Sequence, residues 1–275
     1  LNPQSGFLFN TNHSPFLATD DKKFNLDGKN FDPKDGFETF NNNRSIRVGE
    51  LMTGVGKVDY ETLKRIKYDQ QLPAKLEFPY GLNELMNLKA TDYPKLSSVI
   101  TNLQQWDRKA VTDSKGAAVF LLVYDFLSKK LLGADSRDVT RQEAVETYEY
   151  VYNYMMKHFK KTDLTLGELQ KLVRGDDARP AWGLPDVLTA EYSAPYRNGL
   201  RRVTSGDAYI CFVRYPKDGL PIIESVNTFG ASSNPSSPHY KDQMEMFQKQ
   251  QLKPMTLDKA IVLKNAKSIY HPTKK

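Results

Sequence analysis

The sequence predicts an α+β fold, and three observations carry that expectation. Apolar residues recur at helical spacing between residues 44 and 173, two strand-like runs joined by a turn follow at residues 207–227, and a short apolar run opens the chain. Strand candidates at the two ends, with a long helical excursion between them, do not alternate as βα units. The sheet residues thus fall at the two ends of the chain, and no repeat of solenoid length is present.

The opening run Ser5-Gly-Phe-Leu-Phe-Asn10 ends in the turn-forming cluster Asn10-Thr-Asn-His-Ser-Pro15 and reads as a strand entering a loop. Polar residues with Gly and Pro then dominate from Asp20 to Asn43, a long loop. Arg44 to Met52 sets Ile46, Val48 and Leu51 on one side before Gly54 and Gly56 break the pattern. Asp59 is placed to cap a helix from Tyr60 to about Tyr68. The next helical pattern runs from Pro94 to Trp106, with Pro94 in the first turn, where its missing N–H does no harm. Gly116 to Leu132 is the most apolar helix candidate and is expected at the centre of the core. Arg141 to Phe159 carries the stripe Val145, Tyr148, Tyr152 and Met155. Thr165-Leu-Gly-Glu168 matches a capping box ahead of Leu169, Leu172 and Val173, so a further helix is expected there. Pro180, Gly183, Pro185 and Pro195 mark irregular chain after Asp176. Asp207–Tyr215 and Leu220–Asn227 read as strands joined through Lys217-Asp-Gly219, and helices return at about Tyr240–Lys249 and Leu257–Leu263.

Composition narrows the class of protein. The 275 residues are enough for a buried core without a disulfide or metal staple, and 39% hydrophobic with 26% charged residues is the balance of a soluble folded chain. The longest apolar stretch, Ala117 to Tyr124, meets Asp125 well short of the ~20 residues of a bilayer span, so no membrane span is expected. The net charge of +6 comes from lysines scattered among acidic residues, which reads as a solvated surface and not a nucleic-acid partner site. Cys211 is alone, which excludes an internal disulfide and a Cys-rich zinc site, and it is read as a strand residue facing the core. Leu1 is neither an initiator methionine nor the start of a signal-peptide profile, so the expectation is the interior of a longer polypeptide or the product of a cleavage.

Known catalytic spacings are missing. His13, His158, His239 and His271 lie far apart, and there is no H-E-x-x-H, G-x-S-x-G, Ser-x-x-Lys or P-loop. Gly54-Val-Gly56 lacks the third glycine and preceding strand of a dinucleotide site. One long-range pattern remains. Asn2-Pro-Gln-Ser-Gly-Phe-Leu-Phe-Asn-Thr-Asn-His-Ser-Pro15 is followed in order by Asn43-Arg44, Trp106-Asp-Arg with Ser114-Lys-Gly-Ala-Ala-Val-Phe120, and Leu166-Gly-Glu-Leu-Gln-Lys-Leu-Val-Arg-Gly-Asp176. Gly206-Asp207 and Ser233-Asn-Pro-Ser-Ser-Pro-His-Tyr-Lys-Asp-Gln243, leading to Leu252-Lys-Pro-Met255, complete it. From end to end the chain resembles the C-terminal part of the large chain of the penicillin acylase family of N-terminal-nucleophile amide hydrolases.

That resemblance implies part of a four-layer αββα sandwich, in which residues 1–275 form the C-terminal portion of one acylase domain. Its parts would be residues 1–56 as strand and active-site loop, 57–198 as a mainly helical excursion, and 199–275 as strands and terminal helices. The implied reaction is attack by an N-terminal serine on an amide carbonyl, with its own α-amine as base. Leu1 cannot act as that nucleophile, so the resemblance places it in an upstream segment of the same precursor, partnered by a small alpha chain. The implied substrate is an acylated small molecule, such as an N-acyl homoserine lactone, another fatty-acyl amide or a β-lactam side chain. By residue type alone Asn12 reads as an Asx-turn residue, but the resemblance reverses that reading: it matches the family asparagine whose side-chain amide donates to the oxyanion, with Asn10 turning the chain and His13 at the rim. Arg44 matches an arginine that orients the active-site loop, with Arg47 as a competing choice. No cofactor is implied, and Asp20 and Asp21 match a region where some relatives hold a structural calcium ion, but as a surface loop they need none. By analogy the compartment is periplasmic or extracellular. A different class of reading is a non-catalytic structural or binding subunit that keeps the fold.

Overall fold

A computed structural model describes residues 3–19, 22–78, 80–133, 137–271 and 273. The chain divides into two units, Leu1–Gly206 and Asp207–Lys275. In the first, helix α1 (Asn43–Met52) opens on Asn42, whose side chain accepts the Ser45 N–H while the Ser45 hydroxyl accepts the N–H of Asn42. Helix α2 (Tyr60–Lys67) starts on Asp59, which accepts the Thr62 N–H at 2.8 Å as the sequence predicts. Short strand β1 (Tyr80–Gly81), α3 (Asn83–Asn87), α4 (Ser97–Gln104) and α5 (Lys115–Lys130) follow. Strand β2 (Arg137–Asp138), parallel to β1, leads into α6 (Arg141–Phe159) and the single turn α7 (Leu166–Leu169).

Helix α5 forms the centre of the core. Gly116 through Val123 and Leu127 are buried, and Val99, Ile100 and Leu103 of α4 join Tyr148, Val151 and Met155 of α6 in the same cluster. A helix segment apolar on all sides has to be surrounded, and here α4, α6 and α7 pack against it. The approach of α4 is set by Gly116, because a Cβ there would lie 2.3 Å from Trp106 Cβ and 2.7 Å from the Asn102 carbonyl.

Sequence expectation and structure part at four places. The capping box at Thr165 is present, but its helix lasts one turn and runs straight into strand β3 (Gln170–Arg174). Leu169, Leu172 and Val173 fit either period over so short a run, and pairing with neighbouring strands decides between them. Beyond Asp176 the chain is less irregular than its prolines suggest. Strands β4 (Asp177–Pro180), β5 (Glu191–Pro195) and β6 (Arg201–Gly206) form a four-stranded sheet in the order β4-β3-β6-β5, with only β3 and β6 parallel. Pro180 and Pro195 sit at the ends of the two edge strands, where a missing N–H costs no central ladder bond. The long excursion therefore carries strands as well as helices.

The third departure is the opening run. Residues 5–10 carry no ladder among the described residues; the backbone bonds there are Gly6 N–H to the Pro3 carbonyl and Phe9 N–H to the Ala18 carbonyl, both at 3.0 Å. Apolar alternation defines a face, but a strand also needs a neighbour to bond. The fourth departure lies in the second unit. Strands β7 (Tyr209–Arg214) and β8 (Ile222–Asn227) pair antiparallel as predicted, then α8 (Met244–Gln248), β9 (Lys253–Met255) and α9 (Lys259–Asn265) follow. Ile210 and Phe212 point inward, so the intervening Cys211 is exposed, not core-facing. The chain is thus α+β, with its described strands of three residues or more confined to residues 170–255.

Replacing Gly116 with alanine forces Trp106 and the α4 backbone apart, and urea unfolding should show a loss of about 1–3 kcal/mol. The capping glutamates supply a pH test. Glu143 is held at about 2, first by its ion pair with Arg137 and then by the Thr140 N–H, and Glu168 at about 2 by Lys161 and the Thr165 N–H. Folded values below the ordinary 4.5 mean that this stabilisation is complete above the ordinary value and is lost as pH falls toward 2. Thermal melts across that window should drop more steeply for the wild type than for a Glu143→Gln, Glu168→Gln double variant.

Candidate functional site

The turn after Phe9 is built by asparagine and threonine side chains. Asn10 Oδ1 accepts the Asn12 N–H at 2.8 Å, an Asx turn, and Asn12 takes a left-handed backbone with φ 57°. The Asx-turn reading of Asn12 is thus met, and the turn sets where its side chain starts. His13 does not sit at a rim. It is buried, stacked on Phe9 with ring centroids 4.7 Å apart. Its Nε2–H donates to the Leu17 carbonyl at 2.9 Å and its Nδ1 accepts the Thr11 N–H at 3.1 Å. Each partner can play only one role, which fixes the tautomer.

Helix α1 braces this turn from the other side. Asn42, the α1 cap, donates its Nδ2 to the Thr11 carbonyl at 2.8 Å and to the Asn12 carbonyl at 3.3 Å. The long loop between is closed by the Ser14 N–H on the Phe40 carbonyl at 3.2 Å and by a cluster of Phe16, Phe31 and Phe37. Two residues after the cap, Arg44 reaches back and donates Nη1 to Asn12 Oδ1 at 2.9 Å. Arginine has no acceptor, so the Asn12 atom facing it must be oxygen. The amide nitrogen Nδ2 of exposed Asn12 then faces away and makes no hydrogen bond among the described residues.

Arg44 is itself held. Its Nε donates to Asp186 Oδ1 at 3.1 Å, while Asp186 Oδ2 accepts both the backbone N–H and the Nδ2 of Asn43 at 2.8 Å. Buried Asn43 also exchanges two bonds with the Glu77 backbone, at 2.7 and 2.8 Å. Arg47, the competing arginine, is committed elsewhere: it grips Asp69 through two bonds of 2.9 Å and also donates to Glu50, and those carboxylates, Asp69 foremost, hold it charged. The structure brings Asn12 and Arg44 together and leaves Arg47 as a tie between α1 and the Asp69 loop.

Beside the turn lies an open groove of about 940 Å³, walled by residues 5–11 and by Val48, Met52, Leu63, Ile66 and Leu188. Its lining stops at Thr11, one residue short of Asn12. Asp20 and Asp21, the region considered for calcium, lie outside the described residues, and among those described no group of three or more His, Cys, Asp or Glu is arranged to hold a metal. No described helix is long and apolar enough to cross a membrane. Sequence reading missed Asn42, Asn43 and Asp186. The run Asn41-Asn-Asn43 before an apolar periodic segment is a cap signal that could have found the first. Nothing local marks Asp186, which follows Pro185 in a stretch that reads as irregular chain.

A family model described as penicillin amidase matches residues 1–264. An acyl-homoserine lactone acylase, PvdQ, of Pseudomonas fluorescens is 32% identical over 93 residues, which is 33% of this chain and 12% of that protein. Among solved structures, a thermostable penicillin G acylase from Alcaligenes faecalis aligns over the whole chain and 58% of its own, at 13% identity and a TM-score of 0.48. The chain thus spans only part of the length of these relatives.

One side chain, Asn42, caps α1 and pins the turn. Asn42→Ala should cost about 1–2 kcal/mol in denaturant unfolding, with faster hydrogen exchange at the amides of Thr11 to Ser14.

Proposed function

The chain belongs to the penicillin amidase family, and from that premise we propose that it is the C-terminal segment of an acylase that hydrolyses the amide bond of an acylated small molecule. Residues 1–275 supply the C-terminal portion of one αββα acylase domain. An upstream segment of the same precursor supplies the N-terminal serine and pairs with a small alpha chain, and this chain by itself is catalytically incomplete. The site of action is periplasmic or extracellular. Substrate candidates are an N-acyl homoserine lactone, which the name of the Pseudomonas relative suggests, another fatty-acyl amide, or a β-lactam side chain.

One observation carries the proposal: the Asn12 amide is anchored through its oxygen and presents its nitrogen. Attack of the serine hydroxyl on the amide carbon moves the carbonyl electron pair onto oxygen, and the serine proton passes to the α-amine. An N–H already aimed at that oxygen stabilises the intermediate without reorganising, and such a donor is worth roughly 10²–10³ in rate. The Arg44 hydrogen bond draws electron density toward Asn12 Oδ1, which makes the opposite N–H a stronger donor. A neutral amide donates without a charge that would hold the ground-state substrate or product as tightly as the oxyanion. Arg44 thereby orients the loop and polarises the donor in one contact.

The test uses the full precursor, matured. Sequencing the N-terminus of each mature chain should find one that begins with serine, upstream of Leu1. Asn12→Ala should lower kcat by about 10²–10³ and leave the melting temperature within a few degrees of wild type. A wild-type kcat in that variant removes Asn12 from the mechanism. A matured protein with no N-terminal nucleophile at all points instead to a non-catalytic subunit.

A further inference from the structure

Asp186 reaches the candidate site from a distant part of the chain, and its geometry goes beyond a generic ion pair. Its two carboxylate oxygens face two different clients. Oδ1 accepts Arg44 Nε, while Oδ2 accepts the backbone and side-chain N–H groups of Asn43, the residue just before Arg44. One carboxylate therefore fixes both the root and the head of the arginine that meets Asn12. Arg44 and Asp186 are each mostly shielded, with side chains 18% and 17% exposed, so the pair is less screened than a surface bridge.

The backbone at Asp186 is set for this contact. It takes φ 60°, a left-handed conformation that aspartate tolerates better than most residues. Asn43 is in turn locked by its two bonds to the Glu77 backbone, so the carboxylate meets a donor pair that cannot swing away. A long arginine stem with only one anchor would sample many rotamers, whereas a guanidinium gripped at Nε keeps the direction of Nη1. The proton count matters too. Oδ1 and Oδ2 together accept three N–H bonds, which an ionised carboxylate can do and a carboxamide, with one acceptor oxygen, cannot do from both sides.

We propose that Asp186 is a positioning residue of the acylase site, acting through Arg44 to hold the Asn12 amide in its donating orientation. This inference rests on the reading of Asn12 as the oxyanion donor. Asp186 touches no reacting atom; it sets the precision with which another residue does.

The experiment is a double-mutant cycle in the matured full-length protein, assayed with a chromogenic acyl-anilide. Asp186→Asn should lower kcat by about 10–100-fold with KM changed less than about threefold, because the loss falls on the transition state. In an Asn12→Ala background the same substitution should lower kcat no further. Equal losses in both backgrounds, or no loss from Asp186→Asn when Asn12→Ala is damaging, overturn the role of Asp186 and leave the oxyanion reading standing. A harmless Asn12→Ala sinks that reading first and this inference with it. If Asp186→Asn fails to mature, Asp186→Gly suits the left-handed backbone, and added formate can occupy the vacated carboxylate position. Recovery of kcat with formate supports the role, and a dose series without recovery overturns it.

Discussion

The guanidinium of Arg44 joins three segments that are remote in sequence. It donates from Nη1 to the turn at Asn12 and from Nε to the loop at Asp186, and its own backbone lies in the first turn of α1. Because arginine only donates, each of these contacts dictates the identity of the atom it meets. The orientation of the Asn12 amide is thus a consequence of arginine's chemistry and not of a loop that happens to rest there. Without the bridge, a left-handed asparagine on an exposed turn has no reason to point its amide one way.

That turn holds a conformation costing about 1 kcal/mol or more for a non-glycine residue, and several weak terms offset it. The Asn10 side chain completes an Asx turn, the buried ring of His13 satisfies the Thr11 N–H, and Asn42 binds the carbonyls of Thr11 and Asn12. Each bond is modest, but all of them close on the four residues Asn10 to His13. The scaffold behind them is stiff for another reason. Helix α5 is buried on all sides from Gly116 to Val123, among α4, α6 and α7, and a close-packed interior yields little to small displacements.

Polar clusters that look redundant in sequence divide their labour in space. Among Asn41, Asn42 and Asn43, the second caps α1 and braces the turn, while the third, fully buried, spends both amide hydrogens and its oxygen on Glu77 and Asp186. Arg44 and Arg47 differ as sharply although both stand on α1, since three residues of helix turn the second toward Asp69 and Glu50.

Local chemistry was legible at many of the places where one residue type satisfies a local need, although the Asn42 cap was missed. Asp59 and Thr165 announced their caps, the span Arg141–Phe159 could be read from its apolar stripe, and the sealed α5 followed from its composition. The family match made Asn12 and Arg44 candidates, and residue type alone could not rank Arg44 above Arg47. Long-range pairing was not legible. The edge positions of Pro180 and Pro195, the unpaired opening run and the solvent side of Cys211 each depend on which strand lies alongside. Asp186 is the extreme case, a carboxylate after a proline with no periodic context, 142 positions from the arginine it holds. Sequence by itself determined the long helices, several of their caps and the chemical types available to the site, because those follow from bonds within a few residues. Only the tertiary structure decided which arginine meets Asn12 and which carboxylate steadies it, because hydrogen-bond partners are chosen by distance and direction in space, and neither is encoded in any local pattern.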